Sequence, residues 1–293
     1  MSDVLQTLSD SMAGAVESAG KSIVTVAARR RMAASGVIWS ADGVIVTSHH
    51  VVEHEDRIKI GLPDGKTVGG TLVGRDPNSD IAVLRADASG LSVPEWAALD
   101  TVRVGHLALA VGRPGDDLQA TLGVISALMH RKDENKYFAQ TDVVMYPGFS
   151  GGPLVSPTGV IIGLNSSGLM RGVSLTVQTP TIQYVVDNLL KHGKMRRGYL
   201  GVGVQPAKLS QSLAESLGQK TGALIVSVEA GSPAEKSGLF MGDTLVALGS
   251  HTVEDMEDLL GALGSVQIGS NVTAKIVRGG QLQDVSVTVG ERS

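Results

Sequence analysis

The 293-residue chain contains no cysteine, which removes disulfides, thiolate zinc sites and a cysteine nucleophile at once and leaves the redox compartment open. It also lacks an excess of charge of one sign: 25 Lys and Arg stand against 29 Asp and Glu, a net −4. No global basic field therefore exists to hold nucleic acid or an anionic membrane, and nucleic acid is excluded as a partner. No apolar run reaches the roughly eighteen residues a membrane-spanning helix needs. The opening MSDVLQTLSDSMAGAVESAG has no basic start, continuous apolar run or small-residue cleavage site, so it is not a secretory signal. As written the chain reads as soluble and cytoplasmic, or as periplasmic if a leader has been removed.

What is present is glycine, 37 residues or about one in eight against a typical ~7%. Short stretches rich in Val, Ile and Thr lie between these glycines, a pattern of many short strands joined by tight turns. The length allows about two domains of ~100 to 200 residues each. Residues 1–20 form an N-terminal amphipathic segment, because Val4, Leu8, Met12, Ala15 and Ala19 recur at helical spacing. Over 21–191 ten strand-like stretches follow: SIVTVAA, GVIWS, VIVT, RIKIGL, TVGGTLVG, DIAVLR, LALAVG, ATLGVISAL, GVIIGLN and SLTVQ. They predict an all-β barrel or sandwich. A helix carrying Ile182, Val185, Val186, Leu189 and Leu190 closes this domain, with Gly193 as its stop. The polar, Gly-bearing stretch 192–198 reads as a linker. Residues 199–290 mix strands with two helices, one starting at Ser232-Pro233 and one around Glu254 to Leu263.

The stretch YPGFSGGPLV, 146 to 155, sets Ser150 among glycines. A serine hydroxyl attacks a carbonyl only when a base takes its proton and donors hold the oxyanion that forms. The amides of Gly148 and Ser150 can converge as those donors, whereas an isolated SGG is more often a plain Gly-rich turn. His50 follows the apolar strand VIVTS, where a strand end can aim an imidazole into a cleft. Asp80 enters the apolar strand DIAVLR, where a buried carboxylate needs a donor, and an imidazole N–H would serve. His, Asp, Ser is one of the chain orders known for such a triad. The same histidines also spell H-x-x-E-H, His50 to His54 with Glu53, an inverted zinc-protease motif that works only on a helix.

The segments TSHHVV (47–52), SDIAVLR (79–85), QTDVVMYPGFSGGPLV (140–155) and GVIIGLNSS (159–167) resemble those of trypsin-like serine proteases, and more closely the HtrA or DegP-like family. The resemblance covers roughly residues 20 to 290. It implies a mainly β chain, a chymotrypsin-like double β-barrel followed by an α+β PDZ domain. It puts His50, Asp80 and Ser150 on the triad positions, His49 on a neighbouring non-catalytic one, and Gly148 with Ser150 at the oxyanion hole. No metal and no cofactor is implied. The stretch YLGVGV (199–204) looks like a PDZ carboxylate-binding loop, with Leu200, Gly201 and Val202 meeting a peptide's C-terminus. The arrangement implies a serine endopeptidase acting on unfolded or damaged proteins, in homotrimers formed through N-terminal segments. Relatives often make that contact with aromatic side chains, and residues 1–38 have none. The alternative is a catalytically silent PDZ scaffold. Two departures stand out. Most relatives carry Asn where this chain has Phe149, and the position that is acidic in Arg- and Lys-specific digestive relatives is Val144. The second implies a small or aliphatic residue at the cleaved position.

Overall fold

The computed structural model describes residues 2–131, 136–170, 172–196 and 198–291. Residues up to His130 together with Lys136–Met195 form one compact unit, and the chain from Arg196 onward forms a second. Within the stretch 192–198, His192 ends a helix, Gly198 opens a strand and Arg197 lies outside the described residues.

The first unit is two closed six-stranded barrels. β1 (Ile23–Ala27), β2 (Ala34–Ile38), β3 (Val44–Ser48), β4 (Ile58–Gly61), β5 (Thr67–Asp76) and β6 (Ile81–Ala86) close in the order β1-β2-β3-β6-β5-β4. β7 (Leu107–Gly112), β8 (Gln119–Arg131), β9 (Lys136–Thr141), β10 (Pro153–Val155), β11 (Ile161–Ser166) and β12 (Ser174–Gln178) close in the order β10-β11-β12-β9-β8-β7. Closure removes the exposed edges that a Val- and Ile-rich sheet would otherwise present. Val24, Val26, Ile45, Ile60 and Leu84 fill the first barrel, and Ala110, Ile125, Phe149, Leu154 and Ile162 the second. Outward-facing Val37, Val46, Ile81 and Val83 of the first barrel meet Phe138, Ile161, Leu164 and Val177 of the second, so both faces of several strands are buried.

Helix α1 (Ser2–Gly20) docks on the second barrel through Ala15 and Ala19, which pack with Ile23, Leu109, Val111 and Val155. Its stripe divides along its length, for Val4, Leu5 and Leu8 are exposed. Helix α2 (Thr179–His192) starts with Pro180 in its first turn and stops at Gly193, which is left-handed with φ 70°. Ile182, Val185, Val186 and Leu189 are buried against both barrels, and Leu190 is exposed.

The second unit has β13 (Gly198–Tyr199), β14 (Val202–Lys208), helix α3 (Gln211–Leu217), β15 (Thr221–Val228), helix α4 (Pro233–Lys236), β16 (Thr244–Leu248), β17 (His251–Thr252), helix α5 (Met256–Ser265), β18 (Asn271–Arg278), β19 (Gln281–Thr288) and β20 (Gly290–Glu291). The sheet runs β14-β15-β16-β18-β19, with β17 on β16 and β13 paired to β20. Ser232 caps α4 as its residue type predicts, its hydroxyl accepting from the Glu235 amide. Asp255 does the same for α5, accepting from Glu257 and Asp258. The α5 face divides: Leu259 and Leu263 enter the core with Leu200, Val204 and Ile276, whereas Met256 and Leu260 are exposed.

Candidate active site between the two barrels

His50 sits in a single 3₁₀ turn, His49–Val51, directly after β3. Asp80 sits in the turn that opens β6, with a left-handed backbone at φ 54°, a conformation that Asp tolerates better than most residues. The Asp80 amide donates to the Pro77 carbonyl, and the Asp80 carbonyl accepts from the His49 amide at 2.9 Å. This exchange locks the two turns side by side. Asp80 Oδ1 accepts from the His50 amide at 2.9 Å, and Oδ2 accepts from His50 Nδ1 at 2.7 Å. With Nδ1–H on the carboxylate, Nε2 is left as the basic nitrogen.

Asp80 is 4% exposed, and burial pushes its carboxyl up. The His50 imidazole as hydrogen-bond donor and as charge, the Ser166 hydroxyl and the His50 amide together outweigh burial and hold it below the usual carboxylate value. The neighbouring His49 has the opposite surroundings: burial first, and then the Arg75 charge, lower its pKa and keep it neutral.

Ser150 lies in the turn before β10 and is 7% exposed. In that turn the Phe149 amide donates to the Tyr146 carbonyl, the Gly152 amide to the Phe149 carbonyl and the Gly151 amide to the Asn165 carbonyl. Gly148 has φ 95°. Among the described residues, the amides of Gly148 and Ser150 have no protein acceptor. The Phe149 ring is fully buried in the second barrel, edge-on to Tyr146 at 5.9 Å between ring centroids. The departure at this position thus converts a turn side chain into core.

Sequence reasoning used GVIIGLNSS only as a matching segment and gave no role to the residues that join these groups. Three consecutive residues at the end of β11 each touch one of them. The Ser166 hydroxyl donates to Asp80 Oδ2 at 2.5 Å. Ser167 Oγ is 2.9 Å from Ser150 Oγ, and its amide donates to the same oxygen at 3.4 Å. Gly168 lies against the His50 ring, where a Cβ would fall 2.6 Å from Nδ1. The available signal was the polar run Asn165-Ser166-Ser167 ending an otherwise apolar strand. The helix required by H-x-x-E-H does not form, because helical backbone stops at Val51 and His54 Nδ1 bonds instead to the Asp56 carbonyl at 2.8 Å.

In the second unit the sequence-predicted loop residues fall between β13 and the start of β14. Leu200 is core, Gly201 is left-handed at φ 81°, and Val202 is half-buried. The Leu200 carbonyl accepts from the Ala234 amide and the Gly201 carbonyl from the Glu229 amide. Among the described residues the amides of Leu200 and Gly201 have no protein acceptor. β14 is an edge strand.

Comparison with known proteins agrees with this division. Residues 34–164 match the trypsin-like peptidase domain, and residues 198–289 match the PDZ domain. A protein of Halomonas elongata named "Probable periplasmic serine endoprotease DegP-like" is 39% identical over 272 residues, covering 89% of this chain and 57% of the relative. The chain therefore spans little more than half the length of such curated relatives. Among solved structures, the HtrA-type protease AlgW with a tripeptide is 32% identical with a TM-score of 0.79, covering 96% of this chain and 97% of the other. The serine endoprotease from Yersinia pestis is 28% identical with a TM-score of 0.80, over 96% and 98% of the two chains. No helix among the described residues is long and apolar enough to cross a membrane. A barrel pair with this turn chemistry, followed by a PDZ domain and matched over 96% of its length to a solved HtrA-type relative at 32% identity, places the chain in the HtrA family of trypsin-like serine proteases.

Proposed function

We propose that the chain is a serine endopeptidase of unfolded or damaged proteins, with Ser150 as nucleophile, His50 as general base and acid, and Asp80 as the carboxylate that fixes the imidazole. The observation that carries this reading is the contact of Ser166, Ser167 and Gly168 with Asp80, Ser150 and His50 in turn. One short segment holds the three groups in one cleft. Ser150 turns from Ser167 toward His50 Nε2, gives up its proton and attacks the scissile carbonyl; the amides of Gly148 and Ser150 take the oxyanion. His50 then returns the proton to the leaving amine. No step calls on a metal or cofactor. Relatives carry the word periplasmic in their names, and we take an extracytoplasmic site of action for this chain.

A fluorophosphonate probe tests the chemistry. The wild-type chain takes up the label, and Ser150→Ala abolishes it. A wild type that stays unlabelled even with an activating peptide would instead support the silent scaffold.

The second unit is proposed to read C-terminal peptides. The amides of Leu200, Gly201 and Val202 would take the carboxylate, and the free edge of β14 would pair with the peptide as an added strand. Exposed Met256 and Leu260 on α5, one turn apart, offer apolar contact for its side chains. Charge-assisted bonds of this kind are worth about 1.5 to 3 kcal/mol, so a free-acid apolar peptide should bind about 10- to 100-fold tighter than its C-terminal amide. Fluorescence anisotropy with the two peptides makes the comparison, and equal affinities would refute carboxylate capture.

A further inference from the structure

Ser35 belongs to the first barrel, more than a hundred residues before the nucleophile, and is 0% exposed near the start of a fully buried strand. Each of its polar groups is used. Its hydroxyl accepts from the Arg113 amide at 2.7 Å, which directs its own proton to the Gly148 carbonyl, also at 2.7 Å. Its amide donates to the Ser150 carbonyl at 3.2 Å, and its carbonyl accepts from the Thr47 hydroxyl at 2.7 Å. One residue thus holds the carbonyls of the two residues whose amides would bind the oxyanion.

We infer that Ser35 is a positioning residue for the oxyanion-binding turn, holding the Gly148 and Ser150 amides on the substrate side by tethering both carbonyls to the first barrel. The inference rests on the protease reading above. The peptide unit joining Gly148 to Phe149 is fixed at both ends, its carbonyl by Ser35 and its N–H by the Tyr146 carbonyl. The Phe149 ring anchors the turn in the second barrel beside Gly112, where an added Cβ would lie 2.9 Å from the ring and 3.1 Å from Ser35 Oγ. Phe149 fixes the height of the turn and Ser35 its rotation. Without the hydroxyl, the Gly148 carbonyl loses its donor and the Arg113 amide its acceptor. The 148–149 peptide then keeps only its N–H anchor at the Tyr146 carbonyl; the backbone at Gly148, left-handed at φ 95°, relaxes, and the Gly148 amide on the adjoining 147–148 peptide turns off the oxyanion position.

The test separates transition-state stabilisation from substrate binding. A peptide aldehyde ending in valinal adds to Ser150: one C–O bond forms, the carbonyl electron pair moves to oxygen as the oxyanion, and the hydroxyl proton passes to His50. In Ser35→Ala, affinity for the aldehyde and kcat on the matching peptide fall together by about 10- to 100-fold, while KM stays within about twofold. Ser35→Cys, close in shape with a weaker donor, falls between Ala and wild type and carries the comparison if the Ala variant does not fold. Folded variants with wild-type aldehyde affinity and kcat overturn the role, and so does a rise in KM that matches the loss of aldehyde affinity. A wild type that takes neither fluorophosphonate nor aldehyde overturns the protease reading itself, and this inference with it.

Discussion

Replacing Asp80 by Asn lowers kcat by about 10⁴-fold while leaving the fold in place. The backbone at residue 80 is left-handed, and Asn enters that region as readily as Asp, so no new strain arises. The side-chain oxygen that accepts from the His50 amide is retained. What changes is the atom facing His50 Nδ1 and the Ser166 hydroxyl, both of which donate to Oδ2 in the wild type. An amide NH₂ there donates instead, and His50 answers by taking the tautomer with its proton on Nε2. That nitrogen then points a proton at Ser150 and cannot accept one. The wild-type carboxyl, held below its usual value, contributes stability that is present above the ordinary carboxylate range and is lost as pH falls through the depressed value. The Asn variant has nothing to protonate at this position, so that part of its acid unfolding should flatten. Turnover of unfolded casein and a thermal melt at neutral pH check both halves. A drop below tenfold would remove Asp80 from the proposed triad.

The proposed triad residues stood out in the sequence because each lies in a run whose local chemistry is unusual: a histidine ending an apolar strand, a carboxylate opening one, a serine among glycines. Residues that act through distant partners left weaker traces. Ser35 and Ser166 are hydroxyls in buried strands, and only the packing of the two barrels, which sets β2 beside the turn of Ser150 and β11 beside Asp80, gives them a task. Of the strands in the first unit, β9 and β10 were missed. β9 starts at Lys136, a buried cation 3.7 Å from Asp76, which no alternation rule anticipates, and β10 is three residues emerging from a Gly-Pro turn. In the second unit, α3 was not read although Leu213, Ala214 and Leu217 stand at helical spacing; the helix is only seven residues long and none of them is fully buried. The apolar spacing predicted helix α1, which forms over Ser2–Gly20, but not that Val4 and Leu8 stay exposed, since a helical repeat of apolar residues states which face can be buried and not whether a partner within the chain covers it. Phe149 was read as a departure at the catalytic turn, but its burial in the second barrel gives it a packing role that spacing does not reveal.

Gly151→Ala should be the most destabilising single-methyl change in the first unit, and it should also abolish labelling of Ser150. The residue is left-handed at φ 82°, and a Cβ there would fall 2.2 Å from the Ser35 carbonyl oxygen and 2.3 Å from the Thr47 hydroxyl. Neither neighbour can retreat cheaply. The carbonyl belongs to the backbone of β2, and the Thr47 hydroxyl donates to that same carbonyl. Nor can the turn withdraw, because the Gly151 amide is held on the Asn165 carbonyl at 2.9 Å. Strain and clash together cost about 3 to 5 kcal/mol, enough to lower the melting temperature of this unit by about 10 °C. Gly65→Ala is the control that separates the two effects. Gly65 has nearly the same backbone, φ 84°, with nothing within 4 Å of its added Cβ, so only the left-handed strain of about 1 to 2 kcal/mol remains. Calorimetry of both variants decides the point. If Gly151→Ala melts with Gly65→Ala, the close approach of the nucleophile turn to the first barrel is not what holds Ser150 in place; if it melts well below, the glycine after the nucleophile is there to let one barrel's backbone touch the other's.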